Sequence, residues 1–200
     1  MQNNTMNKII AITGGIGSGK STALKIVEKL GYKSFNADLT YKELLLDEDF
    51  VIKISNEFSI TPLIENGKKV LDRKALSKLV FEDEKKLNKL NALTHPAIMQ
   101  KMIDNAKMEK GLKFCEVPLL YEGNFDTLFD FIFVIIRDDT DRINSVKIRD
   151  GKTLEQIEKI IKNQFNYTKI EENEHTFIIE NDGDEDCLTE KIKVAIKKIS

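Results

Sequence analysis

The chain has 200 residues, 41% hydrophobic and 32% charged, with a formal net charge of −2. That balance supports one α/β core with an appendage and supplies no electrostatic footprint for nucleic acid. The first six residues carry neither the basic nor the apolar stretch of a secretion signal, and no segment nears the roughly 18 consecutive apolar residues of a membrane helix, so secretion and membrane partners are disfavoured.

The first apolar run, residues 8 to 13, reads as a buried strand and leads directly into Gly14-Gly-Ile-Gly-Ser-Gly-Lys-Ser21. A helix pattern follows to Leu30, with Ala23, Leu24, Val27 and Leu30 on one face and Gly31 as its stop. Strand, glycine loop and helix in this order make a phosphate-binding loop. Gly14, Gly15, Gly17 and Gly19 remove the Cβ atoms that would block the approach of backbone N–H groups to an anion at the helix N-terminus, and Ile16 and Ser18 between them are expected to bind the nucleotide as well. Lys20 then reaches the β- and γ-phosphates of ATP, Ser21 supplies a ligand for Mg²⁺, and Thr22 is a further nucleotide-binding residue.

A second strand at about 33 to 37 ends at Asn36-Ala-Asp38, which puts the Asp38 carboxylate at the carboxyl edge of a sheet. It serves there either as a base for an attacking hydroxyl or as the N-cap of the helix that follows. Roughly 75 residues then separate Asp38 from the next strand, far more than one crossover helix needs. Helical patterns near 39 to 58, 74 to 80, 84 to 93 and 97 to 109 mark a helical insertion, with His95-Pro96 punctuating the start of the last. Arg73 at its centre can pair with Asp72 on the surface or face a substrate.

Strands follow at 113 to 117 and 131 to 136, then helices near 139 to 149 and 153 to 165, the second opened by a Thr153/Gln156 capping box. This helix pair resembles a lid that excludes water from a transferred phosphoryl group. A fifth strand at 176 to 180 and a helix at about 187 to 199, with Ile192, Ala195, Ile196 and Ile199 inward, complete an open α/β fold with a parallel sheet. Cys115 and Cys187 are too few for a disulfide framework, and a reducing cytoplasm fits them. A switching GTPase is disfavoured, because no glycine has an aspartate three positions before it and Asn88-Lys-Leu-Asn91 lacks the guanine-reading aspartate.

Taken together, Thr13-Gly-Gly-Ile-Gly-Ser-Gly-Lys-Ser-Thr22, Asn36-Ala-Asp38, Leu71-Asp-Arg73, Val80-Phe81, Leu90-Asn91, His95-Pro96 with Ile98, Val117-Pro-Leu-Leu-Tyr-Glu122, Arg149-Asp-Gly151 and Ile178-Ile-Glu-Asn181 with Gly183 resemble the dephospho-coenzyme A kinase family. The resemblance implies a three-layer P-loop NTPase fold with a five-stranded parallel sheet. It divides the chain into a core of residues 1–38, 111–137 and 166–200, an acceptor-binding insertion at 39–110 and a lid at 138–165. It implies transfer of the γ-phosphoryl group of ATP to the ribose 3′-hydroxyl of dephospho-coenzyme A by a cytoplasmic monomer. By the same resemblance Asp38 is the base, Lys20 and Arg149 stabilise the transferring group, and Asn181 lies beside the nucleotide. Asp38, Arg73, His95, Leu119, Tyr121 and Glu122 take the acceptor.

Three positions depart from the family. Ser145 stands where an arginine is usual, with Arg142, two helical turns before Arg149, as a partial substitute; Thr176 replaces an aspartate, and Lys42 replaces an arginine. A nucleoside or nucleotide kinase of the same fold and a non-enzymatic ATP-gated binding module are the competing readings.

Overall fold

The computed structural model describes residues 7–81 and 83–199. In chain order, β1 (Lys8–Thr13), α1 (Lys20–Lys29) and β2 (Lys33–Asn36) come first. They are followed by α2 (Ala37–Leu44), α3 (Glu48–Glu57), a hairpin of β3 (Leu63–Glu65) and β4 (Lys68–Val70), α4 (Arg73–Phe81) and α5 (Glu84–Lys107). Then come β5 (Leu112–Glu116), β6 (Phe131–Ile136), α6 (Asp139–Asp150), α7 (Leu154–Asn163), β7 (Thr176–Glu180) and α8 (Glu185–Ile199). The chain divides between Phe35 and Asn36 and again between Asp104 and Asn105, giving a sheet unit and a helical unit, with α6 and α7 in the sheet unit. Among the described residues no helix is long and apolar enough to cross a membrane.

The sheet runs β2-β5-β1-β6-β7, with β1 parallel to β5 and β6, and β6 parallel to β7. β1 and β6 are almost wholly apolar because both of their faces are covered. On one face Ile10, Ile12, Phe114, Phe133, Ile135, Phe177 and Ile179 pack against Ala23, Leu24, Ile26 and Val27 of α1 and Leu188, Ile192, Ala195 and Ile196 of α8. Phe133 anchors this layer, its ring centroid 5.8 Å from that of Phe114 and 5.7 Å from that of Phe177. The order matters for function. The chain leaving central β1 emerges between the carboxyl ends of β5 and β6, with Ile12 paired to Glu116 and Thr13 to Val134. This is the crevice in which open α/β sheets bind ligands.

The helical unit has its own core of Phe50, Val51, Ile54, Phe58, Leu71 and Leu76. Three local details differ from the sequence reading. The single pattern at 39 to 58 is two helices, because Asp47 turns its carboxylate to the N–H groups of Asp49 (2.9 Å) and Phe50 (3.4 Å) and starts α3 afresh. The hairpin β3–β4 was not anticipated. Its turn is Asn66-Gly67 with φ of 50° and 78°, the dipeptide that favours a two-residue hairpin, but its strands are three residues long and lack a buried alternation.

The third difference is Pro96, which lies inside α5 and neither ends nor starts a helix. A proline there costs about 3 kcal/mol. The helix continues because Leu90 and Leu93 before it and Ala97 after it pack on one cluster, while Ile98, Met99, Met102 and Ile103 are buried further along. Breaking the helix at Pro96 would expose one side or the other.

Candidate active site

Loop 14–19 turns sharply between β1 and α1. Gly17 and Gly19 have φ of 76° and 102°, a region hostile to side chains, and both are closely overlaid. A Cβ on Gly17 would lie 2.4 Å from the Arg142 carbonyl oxygen of α6, and one on Gly19 would lie 2.3 Å from the Asn181 amide nitrogen. The loop is thus sandwiched by α6 on one side and the segment after β7 on the other. Gly19 is the N-cap of α1 and has no side chain to accept from the first turn, so the N–H groups there need an acceptor from outside the helix.

Around that helix start, Ile16, Gly17, Gly19, Lys20, Ser21 and Thr22 line a cavity of about 490 Å³. Glu116, Arg137, Ser145, Arg149 and Gln164 close it. Lys20 folds back so that Nζ donates to the Gly14 (2.8 Å) and Gly15 (2.9 Å) carbonyls. Burial pulls its ammonium down to about 8, with Arg149 and Arg142 pushing the same way and Glu116 and Glu122 opposing. The Ser21 hydroxyl donates to Glu116 Oε1 at 2.8 Å. Glu116, the last residue of β5, is buried.

A second cavity of about 550 Å³ lies on the other side of the loop, where Gly15, Ser18 and Asn181 meet Asp138, Arg142 and Tyr167. Asn181 donates from its amide to the Ser18 carbonyl (2.9 Å), while the Ser18 hydroxyl is buried without a hydrogen-bond partner among the described residues. Arg142 is taken up in bracing the loop: Nε donates to the Ile16 carbonyl (3.2 Å) and one terminal nitrogen to Asp139 (3.0 Å). Arg149 donates two hydrogen bonds, 2.7 and 2.8 Å, to its neighbour Asp150, which holds its guanidinium above the ordinary arginine range.

The α7 end meets the loop after β5. Gln164 accepts from the Ile16 N–H (2.8 Å), and the next residue, Phe165, donates its N–H to Glu122 Oε1 (2.9 Å). Tyr121 stacks on Phe165 with ring centroids 4.7 Å apart, and Tyr167 meets both edge-on. The Tyr167 hydroxyl is 3.2 Å from that of Thr13, and burial pushes it up to about 12. Leu119 of the same loop is exposed.

In the helical unit Asn36, not Asp38, caps α2: its side-chain oxygen accepts from the N–H groups of Asp38 (2.8 Å) and Leu39 (3.2 Å). The Asp38 carboxylate is left exposed on the first turn, so the capping alternative for that residue is removed. Arg73 opens α4 and is exposed, and Asp72 accepts from the Ala75 N–H (2.9 Å) at the helix start. Burial raises the Tyr41 hydroxyl, and Arg73 works against that shift. His95 lies in mid-helix, half-buried, and burial holds its imidazole below the usual value.

The structure therefore brings Lys20, Ser21 and Arg149 to one cavity, with Ser18 and Asn181 at the other. Sequence reasoning missed Glu116, Arg137, Gln164 and Tyr167 as site residues. For the first two a signal existed, a charged residue at or just past the carboxyl end of a buried strand.

A dephospho-CoA kinase family model matches residues 8–186. A curated dephospho-CoA kinase of Fusobacterium nucleatum is 36% identical over 188 residues, covering 92% of this chain and 95% of the relative. A crystal structure of TT1252 from Thermus thermophilus superposes with a TM-score of 0.74 at 25% identity, covering 96% of this chain and 98% of that one. A dephospho-CoA kinase from Campylobacter jejuni does so with a TM-score of 0.63 at 25% identity, covering 96% and 97%.

Proposed function

The chain belongs to the dephospho-CoA kinase family, and from that membership we propose how its own residues pass the γ-phosphoryl group of ATP to the ribose 3′-hydroxyl of dephospho-coenzyme A, giving coenzyme A and ADP. The observation that carries the reading is the meeting of Lys20, Ser21, Glu116 and Arg149 in one cavity at the uncapped start of α1. Backbone N–H groups of loop 14–19 and of the first turn take the β- and γ-phosphates in place of the missing cap. Lys20 leaves the Gly14 and Gly15 carbonyls and turns to the phosphates, whose charge restores its full protonation. Arg149, swung from Asp150, adds charge where the transferring group spreads its own. Asn181 and the second cavity receive the nucleoside end.

The donor set also fits Mg²⁺. The Ser21 hydroxyl and Glu116 carboxylate, 2.8 Å apart, are hard oxygen ligands, and this ion takes one or two protein oxygens beside water and phosphate. When bound, it would neutralise charge on the β- and γ-phosphates; Ser21 and Glu116 would hold it.

Asp38, two residues along the chain from β2, is the proposed base for the ribose hydroxyl, its carboxylate left available because Asn36 does the capping. Arg73 and His95 of the helical unit, with Leu119, Tyr121 and Glu122 of the loop after β5, are proposed for the acceptor. Residues 39–110 then form the acceptor-binding insertion and 138–165 the lid, in a monomer acting in the cytoplasm without nucleic-acid or membrane partners.

Incubation with Mg·ATP and a panel of dephospho-coenzyme A, nucleosides and nucleoside monophosphates tests this, read by ADP release and by phosphorus NMR of the product. Release with dephospho-coenzyme A and a new 3′-phosphate resonance are expected. Turnover with nucleosides alone would reassign the acceptor, and slow hydrolysis indifferent to every acceptor would favour an ATP-gated module.

A further inference from the structure

Arg137 has no role in the scheme above, yet among the described residues it alone lines both cavities. It follows the last residue of β6 and reaches over to α6, where one terminal nitrogen donates to the Ser145 hydroxyl at 2.8 Å. Its Nε is buried with no hydrogen-bond partner among the described residues, and the carboxylate oxygen paired with it there, on Asp141, is 4.0 Å away. The other two arginines of these cavities are engaged at short range, Arg142 by Asp139 and the Ile16 carbonyl, Arg149 by Asp150. A guanidinium with only about a quarter of its side chain exposed and a buried, unanswered N–H is costly unless an anion arrives to meet it.

We infer that Arg137 is a further nucleotide-binding residue, donating to phosphate oxygens of ATP where the phosphate tail passes from the cavity beside Asn181 to the cavity beside Lys20. The planar fork suits two phosphate oxygens at once, and the Ser145 contact keeps it extended toward them without neutralising it. Ser145 is thereby a positioning residue, and Arg137 supplies from the end of β6 a positive charge that the helix position itself lacks. The inference rests on reading loop 14–21 as the ATP site.

The test compares ATP, ADP and adenosine binding by calorimetry and NMR titration in Arg137→Gln, Arg137→Lys and Lys20→Ala, with unliganded melting temperatures alongside. Arg137→Gln is expected to weaken ATP by about 10- to 100-fold, the range for losing a charged hydrogen-bond partner, while adenosine is unchanged. Arg137→Lys, which keeps the charge and loses the fork, should sit between. Wild-type ATP affinity in Arg137→Gln, or equal losses for ATP and adenosine, would overturn the inference and leave Arg137 a strut for α6. If the glutamine variant fails to fold, the lysine variant decides in the same way. Failure of this inference alone would leave Lys20→Ala defective; if Lys20→Ala also binds and turns over ATP normally, the ATP-site reading falls with it.

Discussion

In the sheet unit, Lys20 and Ser21 are held by hydrogen bonds of 2.8 to 2.9 Å to the loop and to a buried Glu116. In the helical unit, Asp38 and Arg73 stand exposed on the first turns of α2 and α4. A triphosphate is small and always the same, so a backbone cradle built in advance can receive it. Exposed charges on helix starts act weakly across water and gain strength only when a substrate excludes the solvent around them. Changes at Lys20 and Ser21 should therefore be felt with ATP alone, and changes at Asp38 and Arg73 only when the acceptor is present.

The largest effect should come from Lys20→Ala. Loss of the cation proposed to turn to the phosphates is expected to lower kcat by about 10³-fold. Thermal stability should hold, because the variant also removes the cost of burying an ammonium; a normal rate would remove Lys20 from the chemistry. Asp38→Asn should lower kcat by about 10²-fold, the low end for a general base, since phosphoryl transfer is a loose reaction. Calorimetric ATP affinity should not change in that variant, and a fall in it would erase the contrast between the units.

A smaller effect is set by pH. Lys20 in the free protein loses its charge as pH rises through about 8, so kcat/KM for ATP should fall roughly tenfold per pH unit above that point. Bound phosphates favour the charged amine, and kcat should therefore hold to a higher pH. A flat kcat/KM profile from pH 7 to 10 would contradict the burial of this group.

Gly17→Ala must meet the Arg142 carbonyl at 2.4 Å, whereas a Cβ on Gly67, also at positive φ, meets nothing within 4 Å. The first should cost about 1–3 kcal/mol and impair ATP binding; the second should cost about 1 kcal/mol of backbone strain with normal activity. Differential scanning calorimetry with a coupled kinase assay separates them. Asn36→Ala, the smallest change, should lower stability by about 1 kcal/mol through loss of the α2 cap. Urea titration measures it.

The parts of the site that could be read from the sequence are those whose geometry is made by neighbours in the chain. Loop 14–21 needs glycines, a lysine and a serine at fixed spacing, and the capping box Thr153/Gln156 needs two residues three apart. Glu116 joins Ser21 across 95 positions, marked in the sequence only by its place at the end of an apolar run, and Gln164 joins Ile16 across 148 with no local pattern. β1 and β6 were legible because burial on both faces leaves continuous apolar runs. Pro96 misled because its local preference was outweighed by an apolar stripe on both sides of it, and Asn66-Gly67 carried a turn signal that three-residue strands did not support.

The adjacent residues Gln164 and Phe165 are tied to different parts of the protein, one to the Ile16 amide and the other to the Glu122 carboxylate. Such a double tether works as a mechanical linkage: α7 cannot swing away without letting go of both anchors or dragging both along. Loss of one bond alone would leave α7 held by the other, so its placement answers at once to the phosphate loop and to the stretch bearing Tyr121 and Glu122.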